Sequence, residues 1–129
     1  MASRITHFEI YGDEPQKLAA FYGELFDWRM ERAEGLDYWR IQIDPFNENS
    51  VGGGVTYRPD IDPRGWMQFV NVDSLDESVA RAERLGASVL KPKTAVPRTA
   101  WIAVLSDPAG NVFAVWQADR LAFPQPEPH

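Results

Sequence analysis

With 129 residues, the chain is long enough for one hydrophobic core and short for two. A net charge of -6 with no cluster of Lys and Arg excludes the phosphate-neutralising surface of a nucleic-acid binder. The absence of cysteine excludes disulfides, thiolate zinc sites and a cysteine nucleophile. No apolar run approaches the roughly 18 residues of a membrane span, and "MASRITHFEI" lacks a signal-peptide layout. A cytoplasmic protein with no membrane or nucleic-acid partner is expected.

Residues 5–11 alternate as a strand, with Phe8 and Ile10 on one face and His7, Glu9 and Tyr11 on the other. "GDEP" supplies a turn and a helix start, its acidic residues near the positive end of the helix dipole. Leu18, Phe21, Tyr22, Leu25 and Phe26 then recur at three- and four-residue steps, which predicts an amphipathic helix over 16–26. Residues 28–32, 38–43 and 51–57 read as strands, joined by the turns "EGLD" and "PFNENS". "RPDIDPRG", residues 58–65, reads as a linker.

The order then begins again. Residues 67–72 are strand-like, "DSLDES" opens a helix striped by Val79, Ala82 and Leu85, and Gly86 ends it. Residues 87–90, 99–105 and 111–117 complete a second set of three strands, the last two joined by "SDPAGN". Residues 21–26 and 80–85 occupy matching places about 59 apart, so an internal duplication is the economical reading. The "FPQPEPH" tail, with Pro124, Pro126 and Pro128, is expected to be extended or disordered, which makes His129 a poor ligand. The expected fold is α+β. Two βαβββ modules, residues 4–57 and 66–117, place paired sheets around a half-barrel groove, and residues 119–129 form a tail. Alternation points His7, Glu9 and Tyr11 into that groove, together with Met67, Phe69 and Asn71, while Val70 and Val72 face the second helix.

The stretches "HFEIYGDEPQKLAAFYGELFDW", "VGGGVTYRP" and "VLSDPAGNVFAVWQ" resemble the vicinal oxygen chelate superfamily, which includes glyoxalase I, extradiol dioxygenases and bleomycin resistance proteins. The resemblance covers residues 5–117, and "FYGELFDW" and "SDPAGNVF" are its most specific parts. It implies a single glyoxalase-like domain over 1–118, a homodimer, and a divalent metal held by His and Glu that polarises vicinal oxygens of a substrate. Of the four ligand positions it implies, His7 matches the first. The second falls near Gly54, the third on Met67 or its neighbours Trp66 and Gln68, and the fourth on Ala114, where ligand-bearing relatives have Glu. Glycine and alanine have no donor, and a Met thioether suits soft ions rather than hard divalent ones. No cofactor is therefore expected. A rearranged site of His7 with Glu9 and Gln68, or with Glu48, is the route by which a metal would enter.

His7 reads as a groove histidine hydrogen-bonded to a neighbouring strand or as a group that moves a proton. Glu9, on the same strand face, would raise its pKa and orient the ring. His7 and Glu9 are the candidate catalytic pair. Tyr38, Trp39, Trp66, Trp101, Phe113 and Trp116 read mostly as core, with Trp39 and Trp101 candidates to line a groove for a flat ligand. Gly52, Gly53 and Gly54 lack the Lys-Ser/Thr of a phosphate loop and mark close backbone approach. Lys91, Lys93 and Arg98 sit in a segment expected to be a loop over the groove. Candidate ligand contacts are thus Tyr11, Trp39, Gly54, Met67, Phe69, Asn71, Trp101 and Ala114. Three functions stay open: a metal-independent binder of a small organic molecule, a lyase, isomerase or dioxygenase-like enzyme using His7 and Glu9, and a non-catalytic interaction or regulatory protein.

Overall fold

A computed structural model describes residues 2–47, 49–59 and 65–124. The chain divides into two compact units, one of Ile5–Gln68 and the other beginning at Phe69 and taking in the first residues. Eight strands and two helices make the fold α+β.

In the first unit, β1 (Arg4–Tyr11) leads into α1 (Pro15–Phe26), followed by β2 (Arg29–Arg32), β3 (Trp39–Gln42) and β4 (Gly52–Thr56). The strands run in the order β2-β3-β4-β1, with β1 parallel to β4 and the other pairs antiparallel. Pro15 sets φ for the first turn of α1, which leaves Asp13 and Glu14 ahead of the helix rather than inside it. Glu14 instead pairs with Lys17 at 3.1 Å. Phe8, Ile10, Ala19, Ile41 and Val55 form the core, with Leu18, Tyr22 and Trp39 packed against it. Burying each large side chain of this set stabilises the fold by about 1.5–3 kcal/mol.

The helical stripe is only half used. Phe21, Leu25 and Phe26 stay about half exposed. Their ring neighbours hold the remainder in place: Tyr22, Phe26, Trp28 and Trp66 form a cluster in which Trp66 also stacks on Phe8 at 5.2 Å.

The second unit repeats the plan. It contains the second half of β5 (Trp66–Asn71), then α2 (Leu75–Arg84), β6 (Ser88–Val96), β7 (Ala100–Ser106) and β8 (Val112–Ala118), in the order β5-β8-β7-β6. The β5–β8 pair is parallel and the others antiparallel, as in the first unit. Ser74 caps α2 by accepting from the Glu77 amide, and Gln117 Oε1 accepts from the Leu75 amide at 2.8 Å. Asp76 and Glu77 in the first turn and Arg81 and Arg84 in the last complement the dipole. Val72, Leu75, Ala103, Leu105 and Val115 form the core under α2. The "SDPAGN" turn owes its sequence to one carboxylate: Asp107 accepts from the amides of Ala109 and Asn111 and from the Asn111 side chain, and Gly110 takes φ 86°.

One expectation is corrected here. The segment around Lys91, Lys93 and Pro92 is strand, not loop: β6 runs to Val96, and register shifts on either side of Lys91 absorb the proline at the sheet edge. Just before the proline-rich stretch, Ala122 is fully buried and its carbonyl accepts from the Arg98 amide at 2.9 Å. Residues 125–129, with His129, and the linker residues 60–64 lie outside the described residues. No helix among those described is long and apolar enough to cross a membrane.

Candidate functional site

In the first unit, the face of the strands turned away from α1 carries a polar cluster. Strand alternation buries Phe8 and Ile10 under the helix and leaves His7, Glu9 and Tyr11 together on the other face, as expected. The Tyr11 hydroxyl donates to Oε1 of Glu9 at 2.7 Å, and the Tyr38 hydroxyl donates to Oε2 at 2.9 Å. Nε2 of His7 lies 3.6 Å from Oε2 of Glu9 and 3.3 Å from the Tyr38 hydroxyl. The Glu9 side chain is 18% exposed and that of His7 31%.

These contacts set the charges. Burial on its own would raise the Glu9 carboxyl, but contacts with His7, Tyr11 and Tyr38 outweigh it and hold Glu9 below its ordinary 4.5. Burial, and then the Glu9 charge, push the phenols of Tyr11 and Tyr38 far above their usual range, with Arg40 pulling Tyr38 weakly the other way. The result is a fixed anion gripped by two protonated phenols, with an imidazole beside it.

Tyr38 was expected in the core and is the residue that sequence reasoning missed. It sits at the foot of β3, after a hairpin closed by the Ala33 amide donating to the Tyr38 carbonyl at 2.8 Å. Trp39 and Ile41 face the α1 core, so alternation turns Tyr38 and Arg40 to the polar face. Arg40 pairs in register with Gly54, and Glu9 pairs with Gly54 from the other side. A Cβ on Gly54 would overlap the Tyr38 hydroxyl and ring. The glycine is therefore what lets the phenol cross β4 and reach Glu9. The signal in the sequence was Gly54 itself, a position without a side chain inside a strand; which residue fills the space is set by strand pairing.

The other candidates divide between faces. Trp39 and Trp101, expected to line a ligand groove, pack instead against the cores beneath α1 and α2. Lys93 covers the Trp101 ring at 4.7 Å and Asp119 accepts its indole N–H at 3.0 Å. Met67, in the first unit, is buried. Phe69 and Ala114 pair in register within the second unit and both are buried, two register positions from the pair Asn71 and Trp116.

The described residues of this face offer a divalent cation few donors. Among the described residues no three His, Cys, Asp or Glu side chains come together. At this face His7 and Glu9 supply two donors where a tight site uses three, and both Glu9 oxygens already accept phenol protons. The alternative partner Glu48 lies outside the described residues.

A family model for a glyoxalase-like domain matches residues 9–116. A putative glyoxylase, CFP32, of Mycobacterium bovis is 31% identical over 110 residues, which are 83% of this chain and 41% of that protein. A Mycobacterium tuberculosis protein of the same description matches equally. This chain thus spans about 41% of the length of the curated relatives it matches. Among solved structures, a variant methylmalonyl-CoA epimerase of Streptomyces coelicolor in complex with 2-nitronate-propionyl-CoA has a TM-score of 0.67 at 17% identity, covering 96% of this chain and 100% of that one. A glyoxalase/bleomycin resistance protein/dioxygenase superfamily member from Vibrio splendidus 12B01 has a TM-score of 0.65 at 12% identity, covering 92% and 100%. At these identities the likeness is one of fold.

Proposed function

Because the chain belongs to the glyoxalase-like domain family, we propose that it binds a small organic molecule against the polar face of β1, at His7, Glu9, Tyr11 and Tyr38, without a divalent metal. The observation that carries this reading is the Glu9 carboxylate. A largely buried charge is costly unless paired, and here two phenols and an imidazole are spent on keeping it ionised. A cluster of titratable groups with shifted pKa values, held together by hydrogen bonds, is a mark of a functional site. The acyl-CoA ligand held by the Streptomyces epimerase supports a small-molecule ligand on this fold.

The test is a thermal-shift screen of metabolites and antibiotics, run with and without a chelator. A ligand at 100 times its Kd adds about 2.7 kcal/mol of stability, and that gain should survive chelation and shrink in H7A. Purified protein carrying near-stoichiometric metal, with binding lost on chelation, overturns the metal-free reading.

The 3.6 Å approach of His7 to Glu9 favours a second reading, in which the bound molecule is also turned over as in a lyase or isomerase. Glu9 is held as an anion, so it orients and balances His7 while His7 carries the proton. H7A should then abolish turnover; unchanged rates eliminate this reading. A cytoplasmic homodimer belongs to the same proposal, and light scattering on the purified chain checks its size.

A further inference from the structure

A molecule arriving at the polar face of β1 meets oxygens whose protons are already committed. The Tyr11 hydroxyl gives its proton to Oε1 of Glu9 at 2.7 Å, and the Tyr38 hydroxyl gives its own to Oε2 at 2.9 Å. A phenol has one proton, so each phenol oxygen can then only accept. An ionised carboxylate also only accepts, and two donors leave part of its capacity free. Three side chains thus present four acceptor oxygens and no donor. The Glu9 side chain is 18% exposed and Tyr38 is half-buried, so the pair keeps a side open to solvent. Turning either phenol toward a ligand would break a charge-assisted hydrogen bond, which is the strong kind. A ligand carbonyl or carboxylate demands that break, and a carboxylate also lies beside a like charge. A group that brings its own protons demands neither.

The neighbouring charges point the same way. Arg40 is exposed on this face of β3, and Glu31 stands opposite it on β2. Met30 packs on the α1 core, so alternation turns Glu31 to the side of Arg40. These two opposite charges on one rung offset each other, and Glu9 is left as the anion of the three. The oxygens set this preference without His7, which has a further interaction of its own.

We propose that this face selects a small organic amine in its protonated form, whose N–H groups bond to the oxygens of Glu9 and Tyr38. The inference rests on the reading of this face as the ligand site, and it names the head group that such a site takes. An ammonium offers three donors and a charge opposite to that of Glu9. Neutral alcohols bring a donor without the charge and rank second. Carboxylates rank last. Gly54 belongs to the selection, because a side chain there would collide with Tyr38, whose phenol lies across β4 with its proton on Glu9.

The experiment is an NMR titration of the full chain at about pH 8, where alkylamines are charged, with a chelator present. The probes are benzylamine, benzyl alcohol and benzoate, then cyclohexylamine, cyclohexanol and cyclohexanecarboxylate, so that the head group changes on a constant ring. Each amine should shift the backbone amides of Glu9, Tyr11 and Gly54. Its Kd should lie about tenfold or more below that of the matched acid, the loss expected for one charge-assisted hydrogen bond. E9Q should bring amine and alcohol level, because the charge is gone while a polar side chain remains. If E9Q does not fold, the ranking of the probes on the unmodified chain decides alone. An alcohol or acid that binds at these amides as tightly as its amine overturns the inference and leaves the proposed function standing. Amine shifts confined to carboxylates elsewhere on this acidic chain overturn it as well. If no probe moves the three amides, the reading of this face as a ligand site falls together with the inference.

Discussion

Tyr11 donates a 2.7 Å hydrogen bond to Oε1 of Glu9, two positions earlier on the same strand face. The bond gives one oxygen of a largely buried anion a hydrogen-bond donor. Hydrogen bonds to charged groups contribute about 1.5–3 kcal/mol. Y11F should lower unfolding stability by about that amount at neutral pH, measured by urea denaturation. A loss below about 0.5 kcal/mol would mean that water replaces the phenol.

The depressed pKa of Glu9 gives stability a direction with pH. The folded state binds the Glu9 proton less readily than the unfolded chain, so this contribution is present above the ordinary value of 4.5 and is lost as pH falls through the folded pKa. The stability difference between the unmodified chain and E9Q should stay level near neutrality and shrink only on acidification below that value. Denaturation midpoints of the two proteins across acid pH check the sign.

Raised phenol pKa values act at the other end of the scale. Tyr11 and Tyr38 release their protons only far above 10, so the unfolded chain loses protons first and stability falls as pH rises beyond that ordinary value. A spectrophotometric titration should show two phenols ionising late, together with unfolding. Y11F and Y38F should each remove one of them, and early ionisation of either phenol would contradict the hydrogen bonds to Glu9.

Gly53 faces the opposite demand from Gly54. A Cβ there would sit 2.6 Å from the Phe8 carbonyl oxygen and 3.0 Å from its ring. Backbone cannot step aside as a flexible side chain can, so G53A should cost about 1–3 kcal/mol through overpacking of β1 against β4. Chemical denaturation of G53A beside G52A, whose Cβ would meet the Ile41 carbonyl at a looser 3.3 Å, should rank G53A as the more damaged.

Much of this was open to a reading of residue order. The period-two run around His7, the helical spacing of Leu18 and Tyr22, and the "SDPAGN" turn are local signals, each set by backbone sterics within a few residues. Their repetition disclosed two βαβββ units with the same strand order. Where local signals failed, distant partners had overridden them. Pro92 argues against a strand, yet bulged pairing with β7 carries β6 through it.

The sequence by itself determined the fold class, the pairing of His7 with Glu9 on one strand face, and the lack of donors at Gly54 and Ala114. Only the tertiary structure decided what stands there instead. Tyr38 is 29 residues from Glu9 in the chain, and its ring reaches the carboxylate because a parallel strand brings a glycine between them. Period and composition register what a residue is and which way it points. They do not register which distant side chain fills the space that a missing Cβ leaves open, because that depends on the pairing of strands across the sheet.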